Sequence, residues 1–295
     1  PARELGGAAP GMVVVGLLLG AVVLAATVLA ARAPGRGLIA TPFFSRSVFV
    51  ASVIWIVSLA ALLASTMLGF LVTTYESSIL GLPLLGGAEE TWILVSWFAE
   101  KPQILSLLIV GLGVGTDVIA SLSGVAPRAR GVMFGSIAAF GIFTFGAWSQ
   151  TAFYPDLADD AWAIIAAFAV GLPVLIVLGG WFDIMRRGTP SPRGPILAIV
   201  TFAVLALGAL TSGELAAIEV LDLFGTSVVS ATYGFAIAGG LAAAIAALTW
   251  WAAKIWGRVL NPALVQGAAL LVLLGGLLVG LPELISGFLD QPEPG

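Results

Sequence analysis

Three ionisable residues, Glu100, Lys101 and Asp117, sit inside one apolar stretch at about residues 92–123. Charges embedded in such a stretch are costly unless they meet protein, water or an opposite charge, and they often mark proton or ion pathways. On insertion scales a lone ammonium costs at least ~2.5–3.5 kcal/mol. A helix that starts near Trp92 places Lys101 about 13 Å deep, at a rise of ~1.5 Å per residue. Glu100 is adjacent but points about 100° away around the helix, so it is an imperfect partner. Two readings stand for Lys101. In one it is a pathway residue. In the other the span begins at Pro102, which suits a first helical turn, and Lys101 snorkels into the outer interface. Asp117, close to Arg128, reads as an interfacial or buried structural acid, with a proton entry point as the alternative.

The absent residue types narrow the chemistry further. The chain has no histidine and no cysteine. That removes imidazole as a metal ligand, haem ligand or general base, and thiolate as a ligand or nucleophile. The redox compartment is left unreadable.

The elements that must hold these residues are membrane helices. Of 295 residues, 60% are hydrophobic and 9% charged. Soluble domains carry about 25% charged residues, and disordered chains need low hydrophobicity. A formal charge of -4 provides no basic surface for nucleic acid. A span needs about 20 mostly apolar residues. Eight segments qualify, at roughly 11–31, 47–74, 92–123, 132–153, 162–182, 196–212, 224–253 and 262–282. The expected fold is an all-α integral membrane protein, one helical domain over 1–295.

The linkers alternate in sign. Those after spans one, three, five and seven carry Arg32, Arg36, Arg46, Arg128, Arg130, Arg186, Arg187, Arg193, Lys254 and Arg258, ten of the twelve basic residues. Linkers after even spans carry acids, including Glu76, Glu89, Glu90, Asp156, Asp159, Asp160, Glu214, Glu219 and Asp222. A missed span would scramble this alternation. Positive-inside bias puts the basic linkers in the cytoplasm and both termini outside. A secretory signal peptide fits residues 1–31 poorly, because the basic residues follow the apolar run.

Small residues recur within spans, among them Gly111, Gly113 and Gly115. They favour close helix packing. A nucleotide-binding reading of that series fails, since no strand precedes it. Trp92, Trp97, Trp250, Trp251 and Trp256 near span ends suit headgroup belts. No strong internal repeat supports an inverted-repeat transporter.

Several ordered motifs then come together. Arg32-Ala33-Pro34-Gly35 precedes Thr41-Pro42-Phe43-Phe44-Ser45. Trp97-Phe98, Pro102, Gly111-Leu112-Gly113 and Asp117-Val118-Ile119 follow. Next come Arg130-Gly131-Val132-Met133, then Pro173, Trp181 and Gly188, then Val228-Val229, Gly239 and Trp250 through Gly257. In this order they resemble the haem-copper oxidase subunit I family over helices four to eleven of its twelve. The family's fourth helix runs from outside to inside, as the charges independently require.

The resemblance also implies systematic loss. Lys101 stands at the family's copper-binding histidine before Pro102, and Leu105 at its cross-linked tyrosine. Ala147 and Trp148 stand at the histidine pair of the seventh helix, and Ala231 and Tyr233 at the haem-binding pair of the tenth. Val177 replaces the proton-channel lysine and Gln103 an acid, while Asp117 keeps the inner acid of the sixth helix. Met12, Met67, Met133, Met185, Tyr75, Tyr154 and Tyr233 are other axial ligands in principle, but none pairs at the family's haem positions. Trp148 is expected to fill volume vacated by a cofactor.

The expected function is a non-catalytic membrane subunit with a structural or assembly role in a respiratory electron-transfer complex. Its implied partners are other membrane subunits and lipid, in a prokaryotic-type energy-transducing plasma membrane. Haem and copper are expected only in partner subunits. The family's first three helices are unmatched, so one face is expected to meet lipid or another protein. One alternative is a proton or ion translocator using Lys101 and Asp117. A further one is part of a split, active terminal oxidase.

Overall fold

The computed structural model describes residues 2–32, 37–75, 88–146, 161–191, 194–216, 218, 221–223 and 225–289. Side chains are described within these except at 2–8, 39, 68–75, 88–100, 146 and 161–167. The described residues form eight α-helices: α1 (Ala2–Ala30), α2 (Phe43–Tyr75), α3 (Ala88–Ser123), α4 (Arg130–Gly146), α5 (Ala161–Arg187), α6 (Gly194–Ala216), α7 (Ser227–Ile255) and α8 (Pro262–Gly287). A short 3-10 turn, Leu38–Ala40, precedes α2. Seven helices are long and apolar enough to cross a membrane, and the apolar Arg130–Phe145 segment of α4 is shorter. The fold is that of an all-α integral membrane protein. Helices prevail because lipid offers no partner for open backbone groups.

Local chemistry sets the helix ends. Asn261 caps α8 through its side-chain oxygen, which accepts from the Ala263 N–H at 3.0 Å, and Pro262 occupies the first turn. Thr226 caps α7 in the same way at Val228. Gly124 (φ 67°) follows α3 and Gly257 (φ 64°) follows α7, both in the left-handed conformation in which chains leave helices at low cost.

Central in the arrangement is α3, which packs on α2, α4, α5, α6 and α7, while α1 lies on α2 and α8 lies on α6 and α7. Its Leu108, Ile109 and Leu112 are fully buried with Ile137, Phe140 and Phe202. The Gly111, Gly113 and Gly115 series is explained by packing. A methyl group at these positions would strike Phe202, Ser47 and Trp181 respectively. Trp181 also donates from Nε1 to the Thr116 hydroxyl at 2.8 Å.

The linker alternation becomes spatial. At one end Arg130 donates to the Thr41 carbonyl at 3.1 Å, Arg187 to the Ala126 carbonyl at 3.2 Å, and the Phe44 and Trp251 rings meet at 4.5 Å. Arg187 also pairs with Asp183 at 2.7 Å. At the other end Ser227 donates to the Glu283 carbonyl at 2.8 Å, joining the start of α7 to the end of α8.

Several helices extend past the boundaries read from the sequence: Arg130, Arg186, Arg187 and Lys254, read as linker residues, lie in terminal turns, and two further charges lie against neighbouring helices. Arg46, placed there in a linker, lies in the first turn of α2 and is 1% exposed. Glu214, also placed in a linker, lies in the last turn of α6, against Gly171 of α5. Both shifts have one cause. A charge does not end a helix where neighbouring protein can shield it. The expected 132–153 span coincides with α4 up to Gly146, and its remainder falls outside the described residues.

Candidate functional site

Lys101 is 8% exposed, so protein covers most of it. The helix does not begin at Pro102. It starts at Ala88, which makes Pro102 an internal residue and removes the first-turn argument for an interfacial Lys101. Lys101 and Leu105 of α3 converge with Ala216 of α6 and Val229, Thr232 and Tyr233 of α7. The gap they enclose is about 10 Å³. Ala231 and Val177 are completely buried. Thus Lys101 and Tyr233, more than a hundred residues apart in sequence, border the same small space. The Glu100 side chain lies outside the described residues, as do Ala147 and Trp148.

Asp117 belongs to the opposite end. Sixteen positions separate it from Lys101, about 24 Å along the helix axis at ~1.5 Å per residue. Leu105, Leu108, Ile109 and Leu112, all at most 1% exposed, lie between them on α3. The interposed hydroxyls of Ser106 and Thr116 donate to carbonyls of their own helix, those of Gln103 and Leu112.

The Asp117 carboxylate has a defined task. One oxygen accepts from the Phe43 N–H at 3.1 Å and the other from the Phe44 N–H at 2.8 Å. These are the first amides of α2, which have no carbonyl partner within the helix. Pro42, immediately before them, has no side-chain acceptor to offer. The cap therefore comes from α3, more than seventy residues away. A carboxylate at a helix N-terminus is also favoured by the helix dipole.

Around this cap lies an aromatic and cationic cluster that sequence reasoning missed. The Arg46 guanidinium sits 4.5 Å from the centre of the Phe43 ring and 4.4 Å from that of Phe134. Arg130 approaches Phe43 from 5.5 Å. Ring faces attract cations, most strongly when water is excluded. Pro42 was the available signal: it marks the helix start, and Arg46 follows four residues later, inside the first turn.

The family resemblance implies haem and copper, so the donor set is the relevant check. Haem iron and copper in such oxidases require imidazole, and the whole chain has none. Among methionines, Met12 and Met67 are exposed, and Met133 is buried against Gly180. Tyr233 borders a gap of about 10 Å³, the room of one water molecule. Sites for cofactor-sized ligands enclose roughly 300–1,000 Å³. The residues present at Lys101, Ala231 and Tyr233 do not fit a haem or a copper ion. No group of three or more carboxylates suited to a metal occurs among the described residues.

Comparison with known proteins agrees with the helix order. The family described as "Cytochrome C and Quinol oxidase polypeptide I" matches residues 7–293. Cytochrome c oxidase subunit 1 of Bacillus subtilis (strain 168) is 24% identical over 283 residues, covering 94% of this chain and 45% of that protein. The subunit 1 of Corynebacterium diphtheriae is 27% identical over 256 residues, with 84% and 44% coverage. That of Alkalihalophilus pseudofirmus is 25% identical over 238 residues, with 79% and 38% coverage. The chain spans less than half the length of these curated relatives. With a match that extends over nearly every residue, the chain belongs to the cytochrome c and quinol oxidase polypeptide I family.

Proposed function

We propose that this chain is a non-catalytic membrane subunit with a structural or assembly role in a respiratory electron-transfer complex. It retains the helical frame of its family while binding neither haem nor copper. One observation carries the reading: Lys101 and Tyr233, at two of the family's ligand positions, border a gap of only about 10 Å³, and Ala231, at a third, is completely buried. Sites that hold a cofactor are concave and sized to it. The absence of imidazole from the sequence points the same way. Haem and copper then belong to partner subunits. The bacterial relatives favour a prokaryotic energy-transducing plasma membrane as its location.

The test is to purify the chain with its partners, separate the subunits, and measure haem by pyridine haemochromogen spectroscopy and copper by mass spectrometry. Neither cofactor is expected with this chain, and other membrane subunits are expected to copurify. Stoichiometric porphyrin that remains with this polypeptide overturns the reading.

A further inference from the structure

A groove of about 700 Å³ runs between α1 and the α2–α3 pair. Leu24 and Val28 of α1, Phe44 and Val48 of α2, and Leu107 and Val110 of α3 give it apolar walls. The polar groups along it are mostly turned inward. The Thr27 hydroxyl donates to the Val23 carbonyl at 2.7 Å and that of Ser52 to the Val48 carbonyl at 2.7 Å. The Trp55 Nε1–H donates to Ser106. What remains on the surface of the groove is mostly hydrocarbon.

The groove has a polarity along its length. Arg32, Thr41 and Pro42 stand at the end shared with the basic linkers, and Ala21 and Trp55 mark the far end. From Arg32 to Ala21 the axis of α1 advances about 16 Å at ~1.5 Å per residue. One leaflet of the hydrocarbon core is about 15 Å thick, half of ~30 Å. The cation therefore stands at headgroup depth and the apolar walls run one leaflet down. Arg32 is half-buried, and its Nε donates to the Leu29 carbonyl at 2.9 Å. Its terminal nitrogens make no hydrogen bond to the described residues, and Arg32 lines the groove at this end.

Apolar along its walls and cationic at one end, the groove complements an amphiphile with a charged head and hydrocarbon tails. Spread over its length, the groove has a cross-section of roughly 45 Å², which suits two hydrocarbon chains at van der Waals spacings of about 4 Å.

We infer that this groove is a binding site for an anionic glycerophospholipid of the cytoplasmic leaflet, with its acyl chains along α1, α2 and α3 and its phosphate on the Arg32 guanidinium. The site is independent of whether the chain is catalytic. Hydrophobic contact supplies retention. The guanidinium supplies preference for a headgroup of net negative charge, because one basic residue at a membrane surface favours anionic lipid by about fivefold.

The experiment uses the full 295-residue chain with its copurifying subunits. After delipidation it is titrated with phosphatidylglycerol or phosphatidylcholine, and retained lipid is counted by native mass spectrometry. One phosphatidylglycerol is expected per chain, held about fivefold more tightly than phosphatidylcholine. Arg32→Gln is expected to erase that preference, and Val48→Phe to remove both lipids with helical content unchanged. Should Val48→Phe fail to fold, phosphatidylglycerol brominated on its acyl chains is expected to quench a fluorescence component of the unsubstituted protein that Trp55→Phe lacks. Absence of a retained lipid, retention indifferent to Arg32→Gln, absence of Trp55 quenching, or a protein segment cross-linked at Val48 overturns the inference.

Discussion

At the scale of single residues, Asp117 separates a structural from a transport role. Both its oxygens are committed to the first amides of α2. Asp117→Ala leaves two N–H groups without partners, and each such buried group costs about 1–3 kcal/mol. Asp117→Asn keeps one acceptor and loses the charge, so its cost is expected to be smaller. Thermal unfolding in detergent, followed by circular dichroism, is expected to rank the forms wild type, Asn, Ala in falling stability. Equal melting of all three refutes the capping role. Arg46 makes a second, independent prediction. Its planar guanidinium lies between two rings, and an ammonium on a flexible stem cannot reproduce that stacking. Arg46→Lys is expected to destabilise by about 1 kcal/mol, within the range of cation–π contacts, although charge is conserved. A silent Arg46→Lys shows that only the charge mattered. At the other end, Lys101→Gln in the assembled complex is expected to leave any proton or ion flux unchanged, because packed leucines separate Lys101 from Asp117. Loss of flux with the fold intact revives the translocator reading.

At the scale of elements, close packing of α3 turns glycines into predictions of opposite sign. Gly115 faces the Trp181 ring, whereas Gly135, in the interior of α4, has open space where a side chain would begin. Gly115→Ala forces the indole or the helix to move, and overpacking of this kind costs typically about 1–3 kcal/mol. Gly135→Ala gains helix propensity, up to about 1 kcal/mol. The melting temperature is expected to fall for the first and hold or rise for the second; the reverse order discredits the packing of α3 on α5. The same elements show what the sequence can reveal. Hydropathy located the seven described helices long enough to cross a membrane and the shorter apolar α4, because the bilayer fixes span length and excludes other backbone structure. Charge alternation ordered their ends, since loop charges feel the membrane and not the particular neighbours. Arg46 and Glu214 were misassigned because their burial depends on rings and glycines from other helices. The cap on α2 was equally hidden. Pro42 shows that a cap is needed, but only the fold reveals that Asp117 supplies it.

At the scale of the whole molecule, the arrangement has two unequal margins. α1 packs on α2 and α8 on α6 and α7, so each turns a broad face away from the helical core. Met12, Leu19 and Val23 of α1 are each at least 60% exposed, as are Leu264, Leu271 and Leu278 of α8. The α8 leucines recur every seven residues and so form a single stripe. In a bilayer such faces are stable against lipid, so exposure by itself does not require a partner. A subunit whose role is assembly, however, must present some face to protein, and these margins are the surfaces free to do so. The natural absence of cysteine makes the question accessible, since a single introduced cysteine takes a spin label at one site only. Labels at Leu19→Cys, Val23→Cys, Leu271→Cys and Leu278→Cys should all be mobile in the isolated chain reconstituted in lipid. In the native assembly, the labels on at least one of the two helices are expected to become immobilised together, because a docked helix covers neighbouring positions on one face. Four labels that move as freely in the assembly as in the isolated chain would leave both margins facing lipid, and an assembly role would lose its most accessible surfaces.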